Sequence, residues 1–339
     1  MTKKLIINKF NLVILGLICL LQFGCSNKAT SFALPSTQDS FGQVITRNNK
    51  VDILFVIDNS KSMTQYQQRL AAHVPEMITA LNSLKMDYHV AVTSTTMSAD
   101  STRYPMTRQI LGTPKYLTSS NINLLSNRLL VGESGSDLER GLDAMVFTTG
   151  AYASANATGF LRADALFSII FLGDENDQSS EFGSGTSNDF INYLNQLKPN
   201  FKEGGRAWIA NYIGSLQNQS CDNLGGQVSI GESYMRLVDA SGGIKESICA
   251  ADLAVAVSNI KSRVISMLTA FRLKSEPNKA TIKVFVGGRA ITEEANNGWT
   301  LDTELDSSNV KNYFIKFHGV SIPAADEVVQ VDFTPLGAG

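Results

Sequence analysis

From Val51 to Met63 the chain reads V-D-I-L-F-V-I-D-N-S-K-S-M, and this stretch decides the fold. Val51 to Ile57 is almost wholly apolar and β-favouring, which fits a parallel strand buried on both faces. Polarity then switches at once to Asp58, Ser60 and Ser62. In open α/β sheets, ligands gather at the carboxyl ends of strands. A carboxylate and two hydroxyls there are oxygen donors of the kind a hard cation takes.

Working outward, Met63, Tyr66, Leu70, Val74, Met77, Leu81 and Leu84 recur at steps of three and four, one face of a long helix. Tyr88–Thr93 reads as the next strand. Strand, helix and strand at this spacing predict a βαβ unit and a parallel sheet. Residues 97–131 carry Pro105 and Pro114 and include an expected edge strand. A helix is expected over Ser136–Met145. Ala165–Leu172 is a second buried strand, running into Gly173-Asp174-Glu175-Asn176-Asp177. Asn188 is a candidate cap for a helix carrying Phe190, Ile191, Leu194 and Leu197. Ala207–Ile213 reads as a strand, Tyr234–Val238 as a short helix stopped by Gly242, and Leu253–Leu268 as a last long helix capped by Asp252. Alternating strands and helices define an α/β, doubly wound, mostly parallel sheet over about residues 47–270. From Phe271 the period changes to two, with strands at 281–286, 299–301, 312–317 and 328–333. A β-rich C-terminal region, 271–339, is expected.

The N-terminus reads as a targeting segment. Lys3, Lys4 and Lys9 precede the apolar run Phe10–Leu21, which is short for a membrane span. Leu20-Leu21-Gln22-Phe23-Gly24-Cys25 is similar to a bacterial lipoprotein processing site, with Gln22 where such sites usually carry Leu. Residues 1–24 are expected to be a signal peptide, Cys25 a lipidated residue, and residues 25–46 a flexible tether. This places the protein in the bacterial envelope, anchored at a membrane, with the outer membrane favoured. Cys221 and Cys249 then remain as a pair, expected as a disulfide in an exported protein. The formal net charge of −2 supplies no basic field for nucleic acid.

The D-x-S-x-S block Asp58–Ser62 resembles the metal-ion-dependent adhesion site of von Willebrand factor A domains. That family has a second loop with a Thr six residues before a Leu, matched by Gly135-Ser136-Asp137-Leu138-Glu139-Arg140-Gly141-Leu142 with Ser136 in the Thr place. Ser136 and Glu139 also form S-x-x-E, a helix capping pattern. A third loop supplies an Asp after a buried strand, matched by Asp174. A strand order of 3-2-1-4-5 makes the strands ending at Asp58 and Asp174 neighbours. The resemblance implies a Mg²⁺ site, with Ca²⁺ or Mn²⁺ as alternatives, formed by Asp58, Ser60, Ser62, Ser136 and Asp174. Asp177 would act through water, and Glu175, Asp137, Glu139 and Asp143 would form a solvated acidic surround. Lys61 stands where Gly is usual and is expected to point outward. The family's partner offers an acidic side chain to the metal, so the resemblance implies a binding site and no catalysis.

His73, His89 and His318 lie in no nucleophile motif, and no phosphate-binding loop or zinc spacing is present. Two other readings stand beside partner binding. One is a structural envelope lipoprotein whose site no longer binds a ligand; the other is a metal-dependent hydrolase using Asp58 and Asp174.

Overall fold

The structure is a computed structural model and describes residues 43–45, 49–150, 159–201, 205–217, 221, 229–305 and 309–337. The expected signal peptide and Cys25 lie outside the described residues. Among the described residues no helix is long and apolar enough to cross a membrane.

Strand β1, Gln43–Ile45, comes first, inside the stretch expected as a tether. Then follow β2, Lys50–Ile57; α1, Thr64–Ser83; and β3, Asp87–Ser94. A single helical turn, α2, Leu125–Arg128, precedes α3, Gly141–Thr149, and β4, Leu166–Gly173. The α/β part continues with α4, Ser187–Leu197; β5, Trp208–Gly214; α5, Glu232–Ser241; β6, Lys245–Ser247; and α6, Ala254–Leu268.

Five of these strands form one parallel sheet in the order β3-β2-β4-β5-β6. Side chains alternate across it, as strand geometry requires. Val51, Ile53, Phe55 and Ile57 join α1 and α6 in one core, whereas Leu54 and Val56 join α3, α4 and α5 in the other. Both faces are covered, which is why β2 reads as an unbroken apolar run.

The order departs from the expected 3-2-1-4-5 at both edges: β6, where no strand was expected, adds to β5, and the expected edge strand beside β3 is missing. No strand forms between β3 and α2. The segment 97–121 touches the sheet only through isolated bridges, Val90 to Leu117 and Thr93 to Ile110, so β3 is the edge. Its many turns and bends break any ladder longer than one pair. The neighbour relation that matters holds: β2 pairs β4 with Ile57 opposite Leu172, and the Asp58 N–H continues the ladder to the Leu172 carbonyl at 2.9 Å.

Two helix starts also move. Helix α3 begins at Gly141, so Ser136 and Glu139 cap nothing. A Cβ on Gly141 would meet the Tyr234 hydroxyl at 2.4 Å, so glycine lets α3 pack against α5 there. Helix α4 is capped by Thr186 with Asp189, not by Asn188. Asp252 does accept the Ala254 N–H at 3.0 Å at the start of α6.

The C-terminal region is antiparallel and β-rich. It holds β7, Ala270–Arg272; β8, Lys283–Val286; β9, Arg289–Ile291; β10, Trp299–Leu305; β11, Lys311–Phe317; and β12, Val329–Asp332. These make the sheets β1-β12-β8-β9 and β10-β11-β7 around a third core that includes Phe271, Trp299, Ile315 and Val331. Strand β1 pairs Gln43–Ile45 with Val329–Val331. Regular structure thus begins before the expected boundary at residue 47, because the sheet edge at β12 offers backbone partners to Gln43–Ile45.

Cys221 and Cys249 form a disulfide with their Cα atoms 5.1 Å apart. Closing this loop contributes about 3–4 kcal/mol in the chain-entropy picture.

Candidate metal centre

Asp58 is the first residue past β2 and is fully buried. Its Oδ1 accepts the Ser60 N–H at 2.7 Å, which bends the chain into a tight turn. The Ser60 and Ser62 hydroxyls lie 3.3 Å apart. From the neighbouring strand, Asp174 follows β4 and is 1% exposed. The Ser62 hydroxyl lies beside its carboxylate. Asp58, Ser60, Ser62 and Asp174 therefore form one connected oxygen cluster. Lys61 points outward, as expected.

A second loop is stitched to this cluster through its backbone. The Gly135 N–H donates to the Asn59 carbonyl at 2.8 Å. Thr96, just past β3, donates its hydroxyl to Asn59 Oδ1 at 2.8 Å and accepts the Ser136 N–H at 3.0 Å. A Cβ at Gly135 would stand 2.4 Å from Asn59 Oδ1 and 2.5 Å from its carbonyl, so only glycine fits. Ser136 is half-buried, and its hydroxyl accepts the Leu138 N–H at 3.1 Å. From the other side, Gln67 of α1 donates to the Asp58 carbonyl at 2.9 Å and to the Gly132 carbonyl at 3.0 Å.

Glu139 is the residue whose place the sequence misleads about. Read as part of a solvated surround or a helix cap, it is 2% exposed. Its Oε2 accepts the Thr95 hydroxyl at 3.3 Å, and its carboxyl lies beside that of Asp58. The signal available was the hydroxyl run Thr93–Thr96 at the end of β3, which receives it. Asp143 is buried too. Its carboxylate accepts the N–H groups of Ser180, Glu181 and Phe182 at 2.8–3.0 Å and so folds the 180–182 loop. Asp137 remains exposed and Glu175 is half-buried.

Asp177 has other work than the water-mediated contact expected of it. Its Oδ1 accepts the Leu142 N–H and the Ser179 hydroxyl, both at 3.0 Å, and its Oδ2 accepts the Ser179 N–H at 3.0 Å. It anchors the loop after β4 to the start of α3.

The electrostatics follow from crowding. Burial, above all, raises Asp58 to about 6; its contact with Glu139 works against this and the charge of Asp174 adds to it. Burial and then Asp58 push Glu139 up to about 11. Asp174 is also raised by burial, with the Ser62 hydroxyl opposing. Among the described residues no Lys, Arg or His pairs with any of the three. Asp58 Oδ2 and Asp174 Oδ2 are buried with no hydrogen-bond partner. Leaving charged oxygens buried and unpaired is costly, so a donor set of this kind fits a bound cation. Among the described residues no three His, Cys, Asp or Glu side chains converge enough to hold a metal on their own. Hydroxyls and water would therefore have to complete the shell, which suits a hard cation.

The three histidines stand elsewhere. His89 Nδ1 is 2.9 Å from the Phe160 carbonyl and His318 Nε2 is 2.8 Å from the Thr300 hydroxyl. His73 is 3.9 Å from Glu76 on α1.

Strand order and strand-end site together define an open α/β fold with polar groups gathered at its carboxyl edge. No family model matches the chain, and no curated protein matches it. Among solved structures the chain is similar to proximal thread matrix protein 1 from the mussel byssus, at 13% identity over 69% of this chain and 51% of that one, with a TM-score of 0.40. It is similar to the pilus adhesin SpaC of Lactobacillus rhamnosus GG in its open conformation, at 14% identity over 85% and 39% of the two chains, TM-score 0.41. The pilus adhesin RrgA of Streptococcus pneumoniae gives 8% identity over 86% and 57%, TM-score 0.34. The chain spans between 39% and 57% of the length of these proteins. Overlap this partial adds nothing to what the strand order already shows.

Proposed function

We propose that this protein is an exported envelope lipoprotein whose α/β domain binds a protein partner through a divalent cation, Mg²⁺ in the first place, with Ca²⁺ and Mn²⁺ as alternatives. The domain is read as a von Willebrand factor A domain with a metal-ion-dependent adhesion site. One observation carries the reading: two neighbouring parallel strands end in buried carboxylates, Asp58 and Asp174, each with an oxygen that has no hydrogen-bond partner among the described residues. Asp58, Asp174, Ser60, Ser62 and Ser136 would hold the cation, with the Glu139 carboxyl buried beside Asp58. When bound, the cation supplies an electrophilic point for an acidic group of the partner. The chain's own part is to fix the oxygens: Ser60 N–H orients Asp58, Gln67 clamps its carbonyl, and Thr96 with Gly135 locks the second loop onto Asn59. The targeting segment and Cys25 support envelope anchoring by lipid.

Titration calorimetry of Mg²⁺ into the full-length protein tests this. Wild type is expected to bind, and Asp58→Ala and Asp174→Ala to lose the heat. Equal heats in all three would overturn the metal site.

A further inference from the structure

Beside the buried acids stands a pair of arginines that the metal reading leaves unused. Arg108 and Arg140 both lean on one oxygen, Oε1 of Glu181, at 2.5 and 2.9 Å. Glu181 is the one carboxylate paired with either arginine among the described residues. Two guanidinium groups on one carboxylate leave one positive charge without a counter-ion, and all three side chains keep 23–38% of their surface in solvent.

The pair is fixed next to the candidate cation loop by backbone. The Arg140 N–H donates to the Thr95 carbonyl at 3.0 Å, and Arg140 directly follows Glu139, whose carboxyl contacts Asp58. The Arg108 Nε–H donates to the Met97 carbonyl at 2.8 Å, just past Thr96, which holds Asn59. Arg108 itself has φ +52°, a left-handed backbone that a non-glycine residue adopts only when its surroundings hold it there. The Arg140 Nε–H is buried and has no hydrogen-bond partner. Each arginine also follows an exposed apolar side chain by two residues: Met106 is 40% and Leu138 is 51% exposed.

We infer that Arg108 and Arg140 form a second anchor for the partner, which is an acidic peptide segment carrying two carboxylates. One carboxylate completes the cation's shell; the other pairs with the arginines in competition with Glu181, while Met106 and Leu138 take apolar contacts. The inference rests on the cation reading above. It also meets a difficulty that reading creates. Asp58 and Asp174 alone already balance the charge of one divalent cation, so the cation alone attracts an acidic partner weakly. The arginine pair restores the attraction and gives it geometry, since guanidinium–carboxylate pairs are directional.

The test uses the full-length protein and fluorescein-labelled octapeptides of Gly and Leu. These carry two Asp or Glu at spacings of one to five, or one such residue, or Lys in the same places. Fluorescence polarisation is read with Mg²⁺ and with chelator. Two-acid peptides are expected to bind at least tenfold tighter than one-acid peptides. Arg108→Gln and Arg140→Gln should each weaken them about tenfold, and Glu181→Gln should strengthen them. The arginine variants are compared with wild type by circular dichroism. Glu181→Gln changes an exposed side chain and Arg108→Gln a half-buried one, so their opposite signs keep the test open if Arg140→Gln misfolds. The proposal is overturned if neither Arg108→Gln nor Glu181→Gln changes affinity, if one-acid peptides bind as well as two-acid ones, if Lys peptides bind best, or if no peptide binds a protein that takes up Mg²⁺. If two-acid peptides respond to the arginines but ignore chelator and Asp58→Ala, the anchor stands and the cation reading falls.

Discussion

Asp58 and Asp174 end adjacent parallel strands and face one another, each holding one carboxylate oxygen buried without a partner. Such a pair is unfavourable until something positive sits between its members. A cation that binds the folded protein and not the unfolded chain stabilises by mass action. At free Mg²⁺ a hundred times its Kd the gain is about 2.7 kcal/mol. Thermal unfolding is expected to shift upward with Mg²⁺ in wild type and not in Asp174→Ala. In chelator, Asp174→Asn should unfold at the same or higher temperature than wild type, because it removes an unpaired buried charge. A wild-type midpoint indifferent to Mg²⁺ would contradict both statements.

Without a cation, stability should fall as pH rises. Burial raises Asp58 and Asp177 from 3.8 to about 6, and Glu139 from 4.5 to about 11. A carboxyl whose folded pKa exceeds its unfolded one keeps its proton longer in the native state. Native protein then binds more protons than unfolded protein, and the unfolding free energy declines with pH. The decline begins near pH 4, passes through pH 6 for Asp58 and Asp177, and continues beyond for Glu139. Asp58 alone accounts for about 3 kcal/mol of it. Mg²⁺ favours the carboxylates and flattens the slope. Urea denaturation at about pH 5 and about pH 7.5, in chelator and in Mg²⁺, measures this; stability that rises with pH in chelator would refute the raised values.

Gly135 is a single-residue probe of the second loop. A methyl group there collides with both the side chain and the carbonyl of Asn59. Gly135→Ala must push the loop away from Thr96 and Asn59, at a cost of about 1–3 kcal/mol. The two cores of the α/β part lie below this loop and stay packed. Mg²⁺ affinity should drop at least tenfold while far-ultraviolet circular dichroism is unchanged. Full affinity in a folded variant would show that the loop takes no part in holding the cation.

The strand ends were legible because their physics is local and doubled. Val51–Ile57 and Ala165–Leu172 must bury both faces, so their sequences carry few polar residues and stop at Asp58 and Asp174. Segment 97–121 was not legible: its two isolated bridges leave no period to read. Glu139 was hidden by a local pattern that was correct chemistry in the wrong place. The S-x-x-E spacing suits a helix cap, but α3 starts only at Gly141, where a Cβ would collide with Tyr234 on α5. Asp177 was assigned by proximity in sequence, whereas its oxygens are taken by Leu142 and Ser179. The arginine pair had no sequence signal, since Arg108, Arg140 and Glu181 meet only after three loops fold together.

The opposite end of β2 supplies a control. Asp52 is fully buried and accepts the Arg162 N–H at 2.6 Å and Nε–H at 2.8 Å. Arg162 also pairs with Asp87 at 2.7 Å and donates to the Val51 carbonyl at 3.2 Å. The Lys198 ammonium, itself buried, donates to the Arg162 carbonyl at 2.7 Å. This network ties the segment before β4 to β2 and β3. Asp52→Ala leaves the Arg162 Nε–H and backbone N–H without their acceptor while Asp87 still pairs the guanidinium, which costs about 1–3 kcal/mol for each buried donor. Asp52 stands six residues before Asp58, about 20 Å along an extended strand, so the two sites should be independent. Asp52→Ala is expected to lower the unfolding midpoint sharply while Mg²⁺ still binds with wild-type affinity below that midpoint. Loss of Mg²⁺ binding in Asp52→Ala that is still folded would mean that the clasp at one end of β2 sets the geometry of the carboxylates at the other.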